Sequence, residues 1–195
     1  MDEQESRAEA LSIDDVEKER KRIRRRKYYK NALKRTVSVL VVVAAVAVLI
    51  ATLFLPILQI SGDSMSPTLK NDEIVILHKT KSPERGDVIG FYYQGKILLK
   101  RVIALPEETV NIDENGRVYV NGKLLEESYV SKFDLGDCDI EFPYQVPAEE
   151  FFVLGDKRAN SVDSRSAAIG AVSRDEIIGE VFFRVTPFSR FGFVD

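Results

Sequence analysis

The stretch "DVIGFYYQGKILLKRVIAL", residues 87–105, decides the fold. Two runs rich in β-branched and aromatic residues, 87–93 and 96–105, flank the pair Gln94-Gly95. Such side chains suit a pleated, half-buried surface, and a glycine-containing pair between two such runs folds the chain back on itself. The stretch therefore reads as an antiparallel hairpin. In its second run, alternation puts Leu98, Lys100 and Val102 on one strand face. A lysine thus stands among Ile97, Leu98, Leu99, Val102 and Ile103.

The same chemistry recurs on both sides of the hairpin. "EIVILHKT" (73–80), "FFVLGD" (151–156) and "IIGEVFFRVTPF" (177–188) are strand-like. "ETVNIDENGRVYVNGKLL" (108–125) carries Asn115-Gly116 and Asn121-Gly122, both signals of short hairpins. Residues 126–149 are irregular and hold two prolines. The expected fold is mainly β: an antiparallel body over residues 59–195 with a small β-rich insertion at about 107–149. No internal repeat is visible.

The N-terminal part differs. Residues 1–17 are polar and acidic, and no ordered structure is expected there. Residues 18–35, "KERKRIRRRKYYKNALKR", hold 11 basic side chains. From Thr36 to Leu58 there is no charged residue, and these 23 residues as a helix would reach roughly 34 Å, enough for a bilayer core of about 30 Å. The apolar run is too long for a cleavable secretory signal, so it reads as a transmembrane anchor at 36–58. Basic residues flank the cytoplasmic side of such spans, which predicts a cytoplasmic tail at 1–35 and an extracytoplasmic body at 59–195. The net charge of −3 hides a split, +4 over residues 1–35 and −7 over the remainder. An acidic body argues against nucleic acid as a partner. One cysteine, Cys138, and one histidine, His78, exclude an intrachain disulfide and the usual zinc site; no metal or cofactor is expected.

Between anchor and body lies "SGDSMSPTL", residues 61–69, with three serines. A serine nucleophile needs a base within hydrogen-bond reach. His78 sits in mid-strand beside Ile76 and Leu77, where a histidine is usually a packing or surface residue. A lysine can serve only when neutral, and free lysine titrates near 10.4. Burial in an apolar setting lowers that value, and Lys100 has the neighbours for it. A lysine on a solvated strand edge fits the same composition.

Four stretches in order, "SGDSMSPTL", "RGDVIGF", "LLKRVIALP" and "GDKRANSVDSR", follow a single membrane anchor. Together they resemble the bacterial type I signal peptidases, membrane-bound serine proteases with a Ser-Lys dyad, and the short insertion is similar to the smaller Gram-positive enzymes. The resemblance spans roughly residues 36–187. It implies that Ser64 is the nucleophile, that Lys100 is its general base, and that Ser61 and Ser66 are not catalytic. It further implies that Ser161 hydrogen-bonds the lysine and that Asp156, Arg158, Asp163 and Arg165 form a charged network bracing the loop. Where many relatives have an oxyanion-binding serine two residues before the nucleophile, this chain has Gly62. That leaves the Ser64 N–H as the oxyanion donor, with a contribution near Gly62. The family's "GDNR" is "GDKR" here, and its "GLPGD" is "ALPEE", Ala104–Glu108.

The implied activity is removal of N-terminal signal peptides from exported preproteins by cutting after A-x-A-like sites. The substrate would add as a strand to edges at 58–63 and 97–99, its small side chains entering pockets formed by Ile60, Met65, Leu69, Leu98 and Leu99. The implied partners are secreted preproteins, the lipid bilayer and the secretion translocon. Two other readings are a self-cleaving repressor-type Ser-Lys protease, which would carry a DNA-binding module, and an inactive membrane-anchored binding protein, which would lack Ser64 or Lys100.

Overall fold

The computed structural model describes residues 2–80 and 82–194, with side chains considered from residue 16 to 49 and from 55 onward. The chain divides after Thr52 into two compact units. The first is one long helix, α1, whose run Asp2–Phe54 extends just past that division. No glycine or proline occurs before Pro56, so nothing interrupts the i→i−4 ladder until the ring of Pro56 disfavours helical backbone at the residue before it. Among the described residues this is one helix long and apolar enough to cross a membrane, and its apolar side chains are exposed. Two expectations are corrected. Residues 2–17 are helical rather than irregular. The helix also stops at Phe54, because Ile57 and Leu58 pair in the body's first strand.

The body is mainly β. Its larger sheet contains β1 (Ile57–Gln59), β2 (Ile74–His78), β3 (Val88–Tyr93), β4 (Lys96–Ala104), and, from the later chain, β9 (Glu150–Leu154), β10 (Val172–Ser173), β11 (Ile177–Thr186) and β12 (Gly192–Phe193). They lie in the order β1-β2-β11-β3-β4-β9-β10, with β12 beside β11. A smaller sheet, in the order β7-β6-β5-β8, is built from β5 (Thr109–Ile112), β6 (Val118–Val120), β7 (Lys123–Leu124) and β8 (Tyr144–Gln145). Every pairing is antiparallel. The hairpin read from residues 87–105 is present: β3 and β4 pair from Tyr93↔Lys96 to Val88↔Arg101, and Gln94 and Gly95 take φ of 47° and 76°. Asn121 and Gly122 turn β6 into β7 in the same way, at 51° and 76°. Positive φ at both central residues matches the turn to the strands' right-handed twist.

One detail of the larger sheet governs the site. β4 pairs with β3 over residues 96–101, but with β9 only over residues 101–104. Its first half therefore has an unpaired edge. β1, at the end of the sheet, has another.

The core has three parts. Ile60, Met65, Leu69, Val75, Leu77, Val88 and Val181 pack in one cluster. Ile89, Phe91, Val102, Phe151, Val153, Val172 and Ile177 form a second, with Leu98 against it. The third joins Ile103, Ala104, Phe152 and Leu154 to Val110, Ile112, Val118, Val120 and Val146, and so binds the small sheet to the large one. Full burial of each such side chain is worth roughly 1.5–3 kcal/mol. The irregular segment after β7 contributes charge instead. Glu127 and Arg158 form a salt bridge with both side chains out of water. The Tyr129 hydroxyl donates to Glu127 at 3.0 Å, and Arg158 Nε donates to the Gly155 carbonyl at 3.1 Å. Burial, then the Glu127 charge, pushes the Tyr129 phenol well above its ordinary value, which keeps it a donor.

Removing one partner of a buried pair strands the other charge. Glu127→Ala is expected to destabilise the body by about 3–5 kcal/mol, read from urea unfolding of the full chain in detergent. A loss under about 1 kcal/mol, the range of an exposed pair, would contradict that role.

Candidate active site

The stretch 61–69 leaves the strand direction as a tight turn. The Ser66 N–H donates to Asp63 O at 2.9 Å and the Leu69 N–H to Met65 O at 2.8 Å. Met65 and Leu69 are both buried in the cluster with Ile60. They anchor the turn, and Ser64 is left half-buried. Lys100, 36 residues later, lies between Leu98 and Val102, which pack in one cluster. Its Nζ is 2.8 Å from Ser64 Oγ.

Lys100 is 4% exposed. Burial holds its ammonium below the ordinary lysine value of 10.5; Asp163 and Asp156 oppose that shift, and Arg165 adds to it. Among the described residues no acceptor takes the Ser64 N–H, whereas the Gly62 N–H donates to Asn71 Oδ1 at 2.8 Å. Gly62 has φ of 98°, a conformation a serine would adopt only under strain. Its amide is committed, so the contribution expected near Gly62 does not come from that N–H. Ser161 is buried beside the site, but among the described residues its hydroxyl has no hydrogen-bond partner; the expected bond to Lys100 is not formed. His78 is exposed at the end of β2, opposite Glu180.

The loop 155–165 is held by charge. Asp156 accepts from Arg101 Nε and Nη2 at 2.9 and 2.8 Å and from Thr68 Oγ1 at 2.5 Å. It thereby ties the residue after Lys100 to the turn after Ser64. Asp163 accepts from Arg165 Nε and Nη2, both at 2.8 Å, and from the Gly155 N–H at 3.0 Å. Arg165 also donates to the carbonyls of Leu135 and Arg158. The Arg101 guanidinium lies 4.1 Å from the centre of the Tyr129 ring. Asp163, Arg165 and Arg158 are thus linked directly, while Asp156 and Arg158 reach outward to Arg101, Thr68 and Glu127. Arg101 and Thr68 stand within the quoted motifs but were not singled out. Glu127 had no local signal. Lys157, in the place of the family's asparagine, donates its N–H to Ser64 O at 2.9 Å and pairs at the surface with Asp63. In "ALPEE", Glu107 takes φ of 65°, while Glu108 accepts from the Leu105 N–H at 2.8 Å and pairs with Arg85.

A cleft of about 120 Å³ opens at Ser64 and Lys100, lined by Leu58, Gln59, Ile60 and Ser61 on one side and Ile97, Leu98 and Leu99 on the other. β1 and β4 are four places apart in the sheet. Sharing one cleft requires the sheet to curl. Of the expected pocket residues, Ile60, Leu98 and Leu99 line it. Met65 and Leu69 do not, since both face the core. Leu58, Gln59, Ser61 and Ile97, expected on the substrate edges 58–63 and 97–99 but not as pocket residues, line it as well. Among the described residues, no group of three or more His, Cys, Asp or Glu side chains could hold a metal.

The signal peptidase family, peptidase S26, matches residues 33–186. Signal peptidase I U of Bacillus subtilis (strain 168) is 33% identical over 161 residues, covering 76% of this chain and 85% of that protein. Signal peptidase IB of Staphylococcus aureus (strain Mu50) is 38% identical over 153 residues, covering 68% and 78%. A crystal structure of a signal peptidase I from Enterococcus faecalis V583 is 32% identical, covers 52% of this chain and 98% of that one, and has a TM-score of 0.43. The protein is a membrane-anchored serine endopeptidase. It belongs to the signal peptidase family, peptidase S26, whose members remove signal peptides from preproteins.

Gly155 leaves no room for a side chain. A Cβ there would lie 2.2 Å from Ser161 Oγ and 2.7 Å from Ser64 O. Gly155→Ala must displace the Ser161 side chain and the Ser64 backbone, and so disturb the Ser64-Lys100 geometry. Such a displacement is expected to cost about 100-fold in activity, measured as kcat/KM on a preprotein. Wild-type turnover in this variant would mean that the contact of loop and turn is irrelevant to the site.

Proposed function

We propose that Ser64 is the nucleophile and Lys100 its general base in cutting preproteins after A-x-A-like sites. The observation that carries this reading is the 2.8 Å approach of a buried lysine amine to a serine hydroxyl. At that separation a neutral amine accepts the hydroxyl proton as the oxygen attacks the scissile carbonyl. A tetrahedral centre forms, and its oxyanion meets the uncommitted Ser64 N–H. Collapse breaks the peptide bond, and the departing amine takes a proton from the lysine ammonium. Water, deprotonated by the same lysine, then hydrolyses the Ser64 ester. Asp156, Arg158, Asp163 and Arg165 hold the surrounding loop, and Ser161 fills the space beside Gly155. The edges of β1 and β4 suit an extended peptide laid between them, and a cleft of about 120 Å³ favours small side chains such as alanine.

Membrane topology follows from charge. The basic run 18–35 sits in the cytoplasm and the body outside, with the catalytic unit following the anchor and the small sheet forming an insertion in it. The substrates are preproteins delivered across the same membrane, so the secretion translocon is a proposed neighbour.

Purified full-length enzyme, incubated with a preprotein bearing an A-x-A site, is expected to release a product whose new N-terminus follows that site. Ser64→Ala and Lys100→Ala abolish the cut. Lys100→Arg does so too, because guanidinium keeps its proton, while His78→Ala stays active. The sign of the pH dependence follows from burial of Lys100. Only the neutral amine works, so activity rises with pH through a value below lysine's ordinary 10.5 and then levels off. An inactive His78→Ala beside an active Lys100→Ala would replace the dyad.

Protease added outside intact cells stripped of any wall is expected to digest residues 59–195 and to spare 1–35. Cleavage of the tail with the body protected would reverse the orientation.

A further inference from the structure

The family match ends at residue 186, yet the next turn of chain reaches the turn that follows Ser64. After β11 the segment 188–190 forms one turn of 3₁₀ helix, and β12 brings the chain back along β11 through Arg184↔Gly192 and Phe183↔Phe193. Phe191 and Phe193 both meet Phe183 edge-on, at 4.9 and 5.2 Å between ring centres. The segment is thereby fastened to the sheet on both sides of Arg190.

From that position the Arg190 guanidinium makes a fork. Nη2 donates to the carbonyl oxygens of Pro67 and Thr68, at 3.1 and 2.9 Å, and Nη1 donates to Glu73 Oε1 at 2.5 Å. Glu73 is 3% exposed. Its other oxygen accepts the Lys70 N–H at 3.1 Å and lies 3.7 Å from Arg184. Thr68 is consequently gripped twice, by Arg190 at its carbonyl and by Asp156 at its hydroxyl. The second grip leads through Arg101 to the strand that carries Lys100.

We propose that Arg190 is a positioning residue for the peptidase reaction: it fixes the turn 66–70 from behind and so sets Ser64 Oγ against Lys100. The proposal rests on the Ser64-Lys100 reading. A planar fork holds two carbonyls and a carboxylate in one geometry, which an ammonium cannot do. Arg190, Pro67, Thr68 and Lys70 do not line the cleft, and Glu73 meets its wall only through a backbone carbonyl that accepts the Ile60 N–H at 2.8 Å, so the expected effect falls on turnover more than on substrate affinity.

The test compares Arg190→Ala and Arg190→Lys with the wild type, as full-length enzyme in detergent cutting a preprotein with an A-x-A site. Arg190→Ala is expected to lower kcat about tenfold or more through misplacement of the nucleophile, with KM within about twofold. Guanidinium ion at low millimolar concentration restores part of that kcat, and methylammonium does not. Arg190→Lys keeps a charge opposite Glu73 and the wild-type unfolding midpoint, yet loses kcat several-fold. Wild-type kcat in Arg190→Lys overturns the proposal, even if Arg190→Ala does not fold. So does a loss in Arg190→Ala that guanidinium fails to rescue, or one that only tracks the fraction unfolded. Ser64→Ala and Lys100→Ala run alongside. If either is active, the dyad reading fails; if both are dead while the Arg190 variants turn over normally, only the positioning role fails.

Discussion

An amine excluded from water beside a hydroxyl is the constraint on which the rest of the body depends. Burying a charged lysine is costly, and the cost falls on the protonated form. The structure meets this condition with hydrocarbon from Leu98 and Val102 on the lysine's own strand face and with Ser64 as the partner of Nζ. Two carboxylates nearby, Asp163 and Asp156, would favour the ammonium, but each is already occupied by an arginine, Arg165 and Arg101 respectively. Direct carboxylate pairing at Lys100 is thereby avoided. Near-neutral surroundings keep desolvation as the main influence on that side chain.

Those same ion pairs carry the geometry. Arg101 follows Lys100 on β4, so the Asp156 bond to Arg101 and Thr68 joins the lysine's strand to the serine's turn. The Arg158-Glu127 pair fastens the loop to the irregular segment beyond the small sheet. This explains why the insertion is more than decoration: it supplies Glu127 and, through Tyr129, the aromatic face beneath Arg101. Buried pairs add little net stability over apolar packing, but they fix one geometry because an unpaired charge is so costly.

The cleft has a different origin. It exists because β9 is too short to cover the first half of β4, and because the sheet curls until β1 faces that same edge. Backbone donors and acceptors on both edges are left to an incoming extended chain. Recognition through backbone suits the proposed A-x-A-like substrates, which share small side chains rather than a common sequence.

Local chemistry was enough for the β3-β4 hairpin, because Gln94-Gly95 sits between two β-branched runs and the turn needs no distant partner. It was also enough for the long apolar helix, which nothing interrupts before Pro56. Ser64 and Lys100 were legible only through the order of four motifs, since either residue alone fits a solvated surface. Tertiary structure decided the rest. Met65 and Leu69 look like pocket residues by proximity to Ser64, yet the turn's own hydrogen bonds rotate them into the core. Ile57 and Leu58 continue the apolar run, yet Pro56 and pairing with β2 make them strand. Glu127 and Arg190 carry no local mark, for each acquires its partner from a segment far away along the chain. Periodicity and turn chemistry act over a few residues, so they specify elements. The curl of a sheet and the pairing of buried charges depend on how those elements close upon one another, and only the folded body determines that.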